Sequence, residues 1–493
     1  MGKILKQSFW SSIIIYVGVL LGFINSIILF PKYLTTEQIG LIRQIISAST
    51  LLLPLTTFGV SATYLKFFPS FKDNNRLKNE FLSIQFFLIL ISFTITISLL
   101  LLFSDNIAYF FTEKSKIFFD YYYIVFSVLF IMTISSLFEA YLRARYNIIL
   151  SNFSNGVLNR LLTAISVLLL SLMIISFDLL IKLQVPIYLT GLFIIIVYAY
   201  KKENFNININ FLNIKNRLNE ITNYSFFSIL SGFANILVLN VDVLMVTAIL
   251  GLSATGIYTT AFYIGLIIEI PRRAISQISI PQISENINNN DINQIEKSFK
   301  LVSIHQLIIG VFLYLLIILN LDNIFNIIPN SENFISGKNI VYIIGLSKLI
   351  IMTSGFSSEL IMMSKYYKFN VITITILAIL SVVLNYILIP KFGMIGAAYA
   401  SLLSILIFNF IKLIFIKIKI GISPFSNKTI IPIILGIIIF FIINYFPSIS
   451  NPFIDIIKNV IIISSIYLAM IYLLRVSPEL NLIIKKIINY QKD

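Results

Sequence analysis

The sequence predicts an all-α integral membrane protein with about fourteen transmembrane helices, and three observations carry that prediction. The first is composition. Of 493 residues, 58% are hydrophobic and only 12% charged, about half the ~25% charge of a soluble domain. The second is the length of the apolar runs. Stretches such as Ile13 to Phe30 and Phe81 to Phe103 are long enough to cross ~30 Å of hydrocarbon at ~1.5 Å per residue. The third is the alternation of Lys and Arg between successive loops, which sets topology in a membrane chain.

Taking apolar runs between charged or Pro/Asn/Gly-rich breaks gives spans near 9–30, 44–66, 81–103, 117–139, 153–176, 179–200 and 222–250. The remainder fall near 257–283, 301–320, 338–363, 368–389, 394–416, 429–446 and 454–475. With the N-terminus placed in the cytoplasm, the inner segments hold most of the 36 basic residues. They include Lys3 and Lys6; Arg76 and Lys78; Arg143 and Arg145; Lys201 and Lys202; Lys412, Lys417 and Lys419. The outer segments hold isolated ones, such as Lys32, Lys182 and Lys391. The prediction is therefore N-in and C-in.

The same features exclude several functions. A net charge of +15 would suit nucleic acid if it formed a stripe on a soluble face, but it is spread over alternate loops, so no nucleic-acid partner is expected. There is no cysteine and a single histidine, His305, which leaves no disulfide framework, thiolate site or multi-histidine metal site. His305 reads as a structural residue near the inner end of its span. No GxxxxGK[ST] sequence occurs, so the chain itself does not hydrolyse ATP. The short outer loops argue against a membrane polymerase or glycosyltransferase, and no enzymatic activity is expected.

The two halves resemble each other. Ser8-Phe9-Trp10 opens the first span as Ser225-Phe226-Phe227 opens the seventh, an offset of 217 residues. At that offset Gly18 meets Asn235, Asn25 meets Asp242 and Pro54 meets Pro271, while Leu34 to Gly40 matches Leu252 to Gly256 within a residue or two. The expected organisation is a six-helix bundle over 1–220, a second over 221–420, and two extra helices with a cytoplasmic tail over 421–493. Parallel repeats of this kind build transporters, with the substrate path between the repeats.

Polar residues inside the spans are costly in hydrocarbon and mark candidate sites. In the seventh span Ser228, Ser231, Asn235 and Asp242 share one helical face; Asp242 would bind a coupling H⁺ or Na⁺ or make an interhelical hydrogen bond. In the first span Asn25 lies on the face of Ser11 and Gly18, and Gly18 with Gly22 forms a small-xxx-small packing pair. The eighth span carries Glu269, Pro271, Arg272 and Arg273. Pro271 should kink it, and Glu269 can pair with Arg272 or Arg273 one turn on. The surplus arginine charge would suit an anionic headgroup or snorkel to the cytoplasmic interface. In the tenth span Lys348, Met352, Gly355 and Glu359 are read as one face, with Lys348 and Glu359 about 16 Å apart along the axis. Lys348 is the leading candidate for a lumen cation. Arg160 is its rough counterpart in the first half, or else it pairs with Glu139 or reaches the inner surface. Substrate-path candidates are thus Lys348, Arg272, Arg273, Arg160, Asn25 and Asn235, and coupling-ion candidates are Asp242, Glu359 and Glu269, with no cofactor expected.

The segment from Asn385 to Ala400, with Ile389-Pro390 followed by Gly393-Met394-Ile395-Gly396-Ala397-Ala398-Tyr399-Ala400, resembles the polysaccharide-transport branch of the MOP exporter superfamily. Phe30-Pro31 followed by Leu34 to Gly40 is similar to that family's first outer turn. The resemblance implies two six-helix bundles flanking a cavity, two extra C-terminal helices, and alternating access. It also implies a lipid-linked oligosaccharide on undecaprenyl pyrophosphate as substrate, membrane lipid and polysaccharide-assembly proteins as partners, and a bacterial inner membrane. The peptidoglycan-precursor branch usually carries charges in its first helix, and this first helix has none. The other readings are a cation-coupled multidrug exporter of the same superfamily, for which twelve spans are expected, a glycan polymerase, and an uncoupled scramblase.

Overall fold

The computed structural model describes residues 2–481 apart from 72–73, 110, 112–114, 146, 204–205, 208–216, 273–274, 276–282, 284–285, 288–290, 444, 478 and 480. The described elements are helical throughout, as hydrocarbon demands, since a helix satisfies its backbone groups internally. Thirteen helices among the described residues are long and apolar enough to cross a membrane. In chain order these are α1 (Ile13–Tyr33), α2 (Thr36–Thr56), α3 (Asn75–Leu102), α4 (Tyr122–Arg143), α5 (Ile149–Ser171), α6 (Phe177–Lys202), α7 (Leu218–Leu250, with its apolar part at Gly232–Leu250) and α8 (Leu252–Arg272). They continue as α9 (Ile292–Ile318), α10 (Ile335–Thr353), α11 (Lys368–Phe392) and α12 (Met394–Lys419). A shorter apolar helix, α13 (Ile430–Ile443), precedes the last, α14 (Pro452–Leu473).

The contacts divide the chain into two compact units, 1–259 and 260–493. In the first, the core gathers Tyr64, Phe81, Leu137 and Tyr141, all buried. In the second, one core joins Leu307 and Val311 of α9 to Ile463 and Tyr467 of α14, and another gathers Phe299, Phe356 and Ile361. Tyr467 donates its hydroxyl hydrogen to the Ile308 carbonyl at 3.1 Å, and Gly436 of α13 lies against Val311. The two C-terminal helices therefore dock on α9.

Three helices are interrupted: the break near Pro271 was expected, while the second and tenth spans were read as continuous. Pro54 lies inside α2, which ends at Thr57; Phe58 and Gly59 then turn through positive φ (49° and 65°) before a short helix, Val60–Phe67, resumes. In α8, Pro271 cannot donate to the Ile267 carbonyl. The chain tightens instead into a 3-10 turn over Ile267–Glu269, and the Ile270 amide donates to that carbonyl. The tenth span stops at Thr353, turns at Gly355 (φ 57°) and restarts as Ser357–Met363. This corrects the expectation of one continuous face from Lys348 to Glu359: glycine in a left-handed conformation separates the two segments. The start of α2 also falls earlier than expected. Thr35 and Gln38 form a reciprocal capping box, a signal present in the sequence.

Within the first unit the beginnings of α2 and α8 cross in a reciprocal way. Gly40, one turn into α2, meets the carbonyl of Leu252, the first residue of α8; Gly256, one turn into α8, meets the carbonyl of Thr36, the first residue of α2. A Cβ on either glycine would overlap that oxygen. Thr36 Oγ1 and Ser253 Oγ share a hydrogen bond of 2.7 Å across the crossing.

Candidate functional site

The second unit holds a buried chain of ionised groups at the α8 break. Gly265 and Gly345 let α8 and α10 approach closely; a Cβ on Gly265 would stand 2.8 Å from Ile344 Cγ2 and 3.2 Å from the Gly345 nitrogen. One turn further on, the helices present Glu269 and Lys348 to each other, with Lys348 Nζ 3.2 Å from Glu269 Oε2. Glu269 Oε1 lies 3.9 Å from Arg272, and Arg272 reaches Glu359 Oε1 at 3.1 Å. Lys348 also stands 5.4 Å from the centre of the Phe262 ring. The side chains are 6% (Lys348), 14% (Glu269 and Glu359) and 18% (Arg272) exposed, so solvent screens these pairs little.

The segment that carries Glu359 is tied to α12. Ser354 donates to Asn409 Oδ1 on α12 at 2.9 Å. One turn along α12, Lys412 donates to Ser358 Oγ at 2.8 Å and lies 4.1 Å from the Phe408 ring centre. Lys412 is 3% exposed. The sequence reading put it among the cytoplasmic loop cations; the structure buries it. Its signal was Asn409 at i−3, which makes a polar face on an otherwise apolar helix.

The cluster thus sets two cations (Lys348, Arg272) against two carboxylates (Glu269, Glu359), with Lys412 buried behind it. Among the described residues, Arg272 Nε and Glu359 Oε2 are buried without a hydrogen-bond partner. An anionic group that displaced the carboxylates would find there two cations and an unused guanidinium donor, a combination suited to phosphate oxygens. Arg273 lies outside the described residues.

The first unit holds a different kind of site at the α2 break. A cavity of about 340 Å³ opens there, lined by Thr57, Ser61, Ser136, Ser228 and Asn235 among apolar and small residues, including Leu53, Pro54, Gly59, Ile229 and Gly232. No charged residue lines it. Gly59 lets the break abut α7, since a Cβ would stand 2.7 Å from the Ser225 carbonyl oxygen and 2.8 Å from Ser228 Cβ. Thr63 and Ser225 hydroxyls bond at 2.9 Å, and Thr56 and Thr133 at 2.7 Å.

The polar stripe predicted along α7 is divided. Ser228 and Asn235 face the cavity, while Asp242, 4% exposed, accepts from the Tyr258 hydroxyl of α8 at 2.9 Å. Asp242 therefore makes the interhelical bond that was one of its two readings.

Asn25 and Arg160 are placed between α1 and α5. Both helices widen into π-helical segments, Ile24–Leu29 and Ser154–Leu158, a local form often seen at functional sites. Asn25 Nδ2 donates to the Arg160 carbonyl at 2.9 Å, and the Arg160 guanidinium donates to the Gly18 carbonyl. Gly18 packs on Gly156, and Gly22 leaves room for the guanidinium, whose NH1 a Cβ would meet at 2.8 Å. The small-xxx-small pair is a packing face, as expected, with Arg160 seated in it. Glu139 accepts from Asn155 at 2.6 Å. His305 Nε2 bonds to Ser477 Oγ at 2.7 Å and links α9 to the segment after α14. Among the described residues no group of three or more His, Cys, Asp or Glu could hold a metal ion.

The architecture is that of a MOP-superfamily transporter. It is similar to the structure described as the lipid II flippase MurJ in an inward closed conformation, with a TM-score of 0.74 at 15% identity, over 94% of this chain and 98% of that one. It is also similar to an inward-facing multidrug resistance MATE family transporter of the MOP superfamily (TM-score 0.63, 11% identity, 83% of this chain and 94% of that one). A MOP superfamily transporter from Pyrococcus furiosus, described as having a binding pocket of reverse polarity, gives a TM-score of 0.58 at 12% identity over 85% and 95% of the two chains. At these identities the likeness defines the fold. The sequence profile of the polysaccharide biosynthesis protein family matches residues 4–287, more than half of the chain, and the protein belongs to that family. No curated protein sequence matches it.

Proposed function

We propose that this protein is a flippase that carries a lipid-linked oligosaccharide, joined through a diphosphate to a polyprenyl chain such as undecaprenol, from the inner to the outer leaflet of a bacterial cytoplasmic membrane. It acts without chemical conversion of its cargo, by alternating access of two six-helix halves, 1–220 and 221–420, with 421–493 as an added pair of helices. The observation that carries this reading is the buried Lys348–Glu269–Arg272–Glu359 chain with Lys412 behind it. A lipid diphosphate needs a cationic site shielded from water, and a flippase must release it again. Carboxylates already paired with the cations supply that balance, because the anion exchanges with Glu269 and Glu359 rather than meeting naked charge. The freed carboxylates are the places where a coupling H⁺ or Na⁺ would be taken up, and Asp242 is a third.

Membership in a polysaccharide biosynthesis family and the transporter fold support the same reading. A drug exporter is less well supported. The MATE structure covers 83% of this chain against 94% for the MurJ structure.

The test is deletion of the gene followed by leaflet-selective labelling of extracted lipid-linked oligosaccharides. The expected result is a complete repeat unit trapped on the cytoplasmic side, cleared by the wild-type gene and not by Lys348→Ala. No accumulation, or a unit that reaches the outer leaflet but stays unpolymerised, would contradict it.

A further inference from the structure

Resting on that reading, we infer that the cavity at the α2 break binds the neutral sugar portion of the cargo, so that the glycan is read by hydroxyl and amide groups of the first unit. Pro54 and Pro271 stand at matching repeat positions, and both interrupt a membrane helix, the feature that marks substrate sites in transporters of repeated architecture. At the second break the freed space is filled with ionised groups. At the first it is an open cavity of about 340 Å³ whose polar lining is Thr57, Ser61, Ser136, Ser228 and Asn235.

That lining fits one ligand class. An anion would find no cation among the lining residues, and a cation no carboxylate. Thr57 and Ser136 already donate to the Pro54 and Thr133 carbonyls, so a purely apolar ligand would press chiefly on the Ser61 and Ser228 hydroxyls, at a cost for each group. A sugar matches both parts of the surface: its hydroxyls exchange hydrogen bonds with Ser, Thr and Asn, and its C–H faces lie on Leu53, Pro54 and Ile229. The volume is at the small end of ligand pockets, ~300–1,000 Å³, which limits it to the sugars nearest the opening. Asn235 and Ser61 are exposed on this wall.

The experiment measures binding of two probes to the purified full-length protein in lipid nanodiscs. One is the lipid-linked oligosaccharide that accumulates in cells lacking the gene, and the other is the bare polyprenyl diphosphate. The quantity read is the ratio of their affinities, so a general loss of folded protein cancels. Wild type is expected to favour the glycan-bearing lipid by roughly tenfold or more. Asn235→Ala and Ser61→Ala should each narrow that ratio by roughly threefold to tenfold for Asn235 and less for Ser61, the range expected of single hydrogen bonds. A wild-type ratio near one, or a ratio that neither variant changes, overturns the inference while leaving the diphosphate reading intact. Failure of wild type to bind either probe overturns the proposed function itself.

Discussion

The helix breaks at Pro54 and Pro271 use one backbone device for two chemistries. At both, a proline removes a helical donor and the chain must find another route for its carbonyls. At Pro54 it does so by unwinding through two positive-φ residues, Phe58 and Gly59, and the resulting space is lined by hydroxyls. At Pro271 it tightens into a 3-10 turn, and the side chains released are Glu269 and Arg272, which meet Lys348 and Glu359. The repeat preserves the interruption and leaves its lining free to differ. A neutral lining tolerates single losses, whereas a charged one does not, because each removed partner leaves another ion buried.

That contrast can be broken experimentally. The largest effect is expected from Glu269→Leu, which leaves Lys348 and Arg272 without their shared carboxylate. Breaking a buried pair in this way costs about 3–5 kcal/mol, and thermal unfolding in detergent should fall accordingly. A change no larger than that of a surface substitution would show that the cluster is hydrated and carries no buried charge.

The next effect separates two glycine turns. Gly59→Ala combines a positive φ with a Cβ 2.7 Å from a backbone oxygen and should cost about 2–3 kcal/mol. Gly355→Ala has the same φ problem but meets only the Phe299 ring and Ser303 Cβ at 3.3 Å, so about 1–2 kcal/mol is expected. Equal losses in the same unfolding measurement would mean that strain alone, and not the close approach to α7, decides the first turn.

The smallest effect has the opposite sign. Lys412 is buried beside the Ser358 hydroxyl and the Phe408 ring. Lys412→Met should therefore be neutral or stabilising by about 1 kcal/mol, while transport falls. Loss of stability together with loss of transport would assign Lys412 to packing and not to the cargo.

Much of the fold was legible in the sequence because hydrocarbon thickness imposes a length on every apolar run. The helix interruptions were less so. Pro54 and Pro271 were visible as letters, but whether a proline opens a helix or tightens it depends on neighbours from other helices. The tenth span was read as continuous because Ser354-Gly355 is a weak break signal, and its true turn depends on Ser354 bonding to Asn409. Lys348, Arg272, Glu269 and Glu359 were each found as costly intramembrane charges, and the Glu269–Arg272 contact one turn apart was expected, yet the bridges to Lys348 and Glu359 were missed: axial spacing along one helix carries no information about a bridge supplied by another. Lys412 was missed because proximity to Lys417 and Lys419 made it look like loop charge.

The most direct test of the central claim is transbilayer movement of a lipid-linked oligosaccharide in vesicles containing the purified protein. Wild-type vesicles should move the lipid and Lys348→Ala vesicles should move it at least roughly tenfold more slowly, the cost of one charge-assisted contact. Equal rates in wild-type, Lys348→Ala and protein-free vesicles would contradict the account.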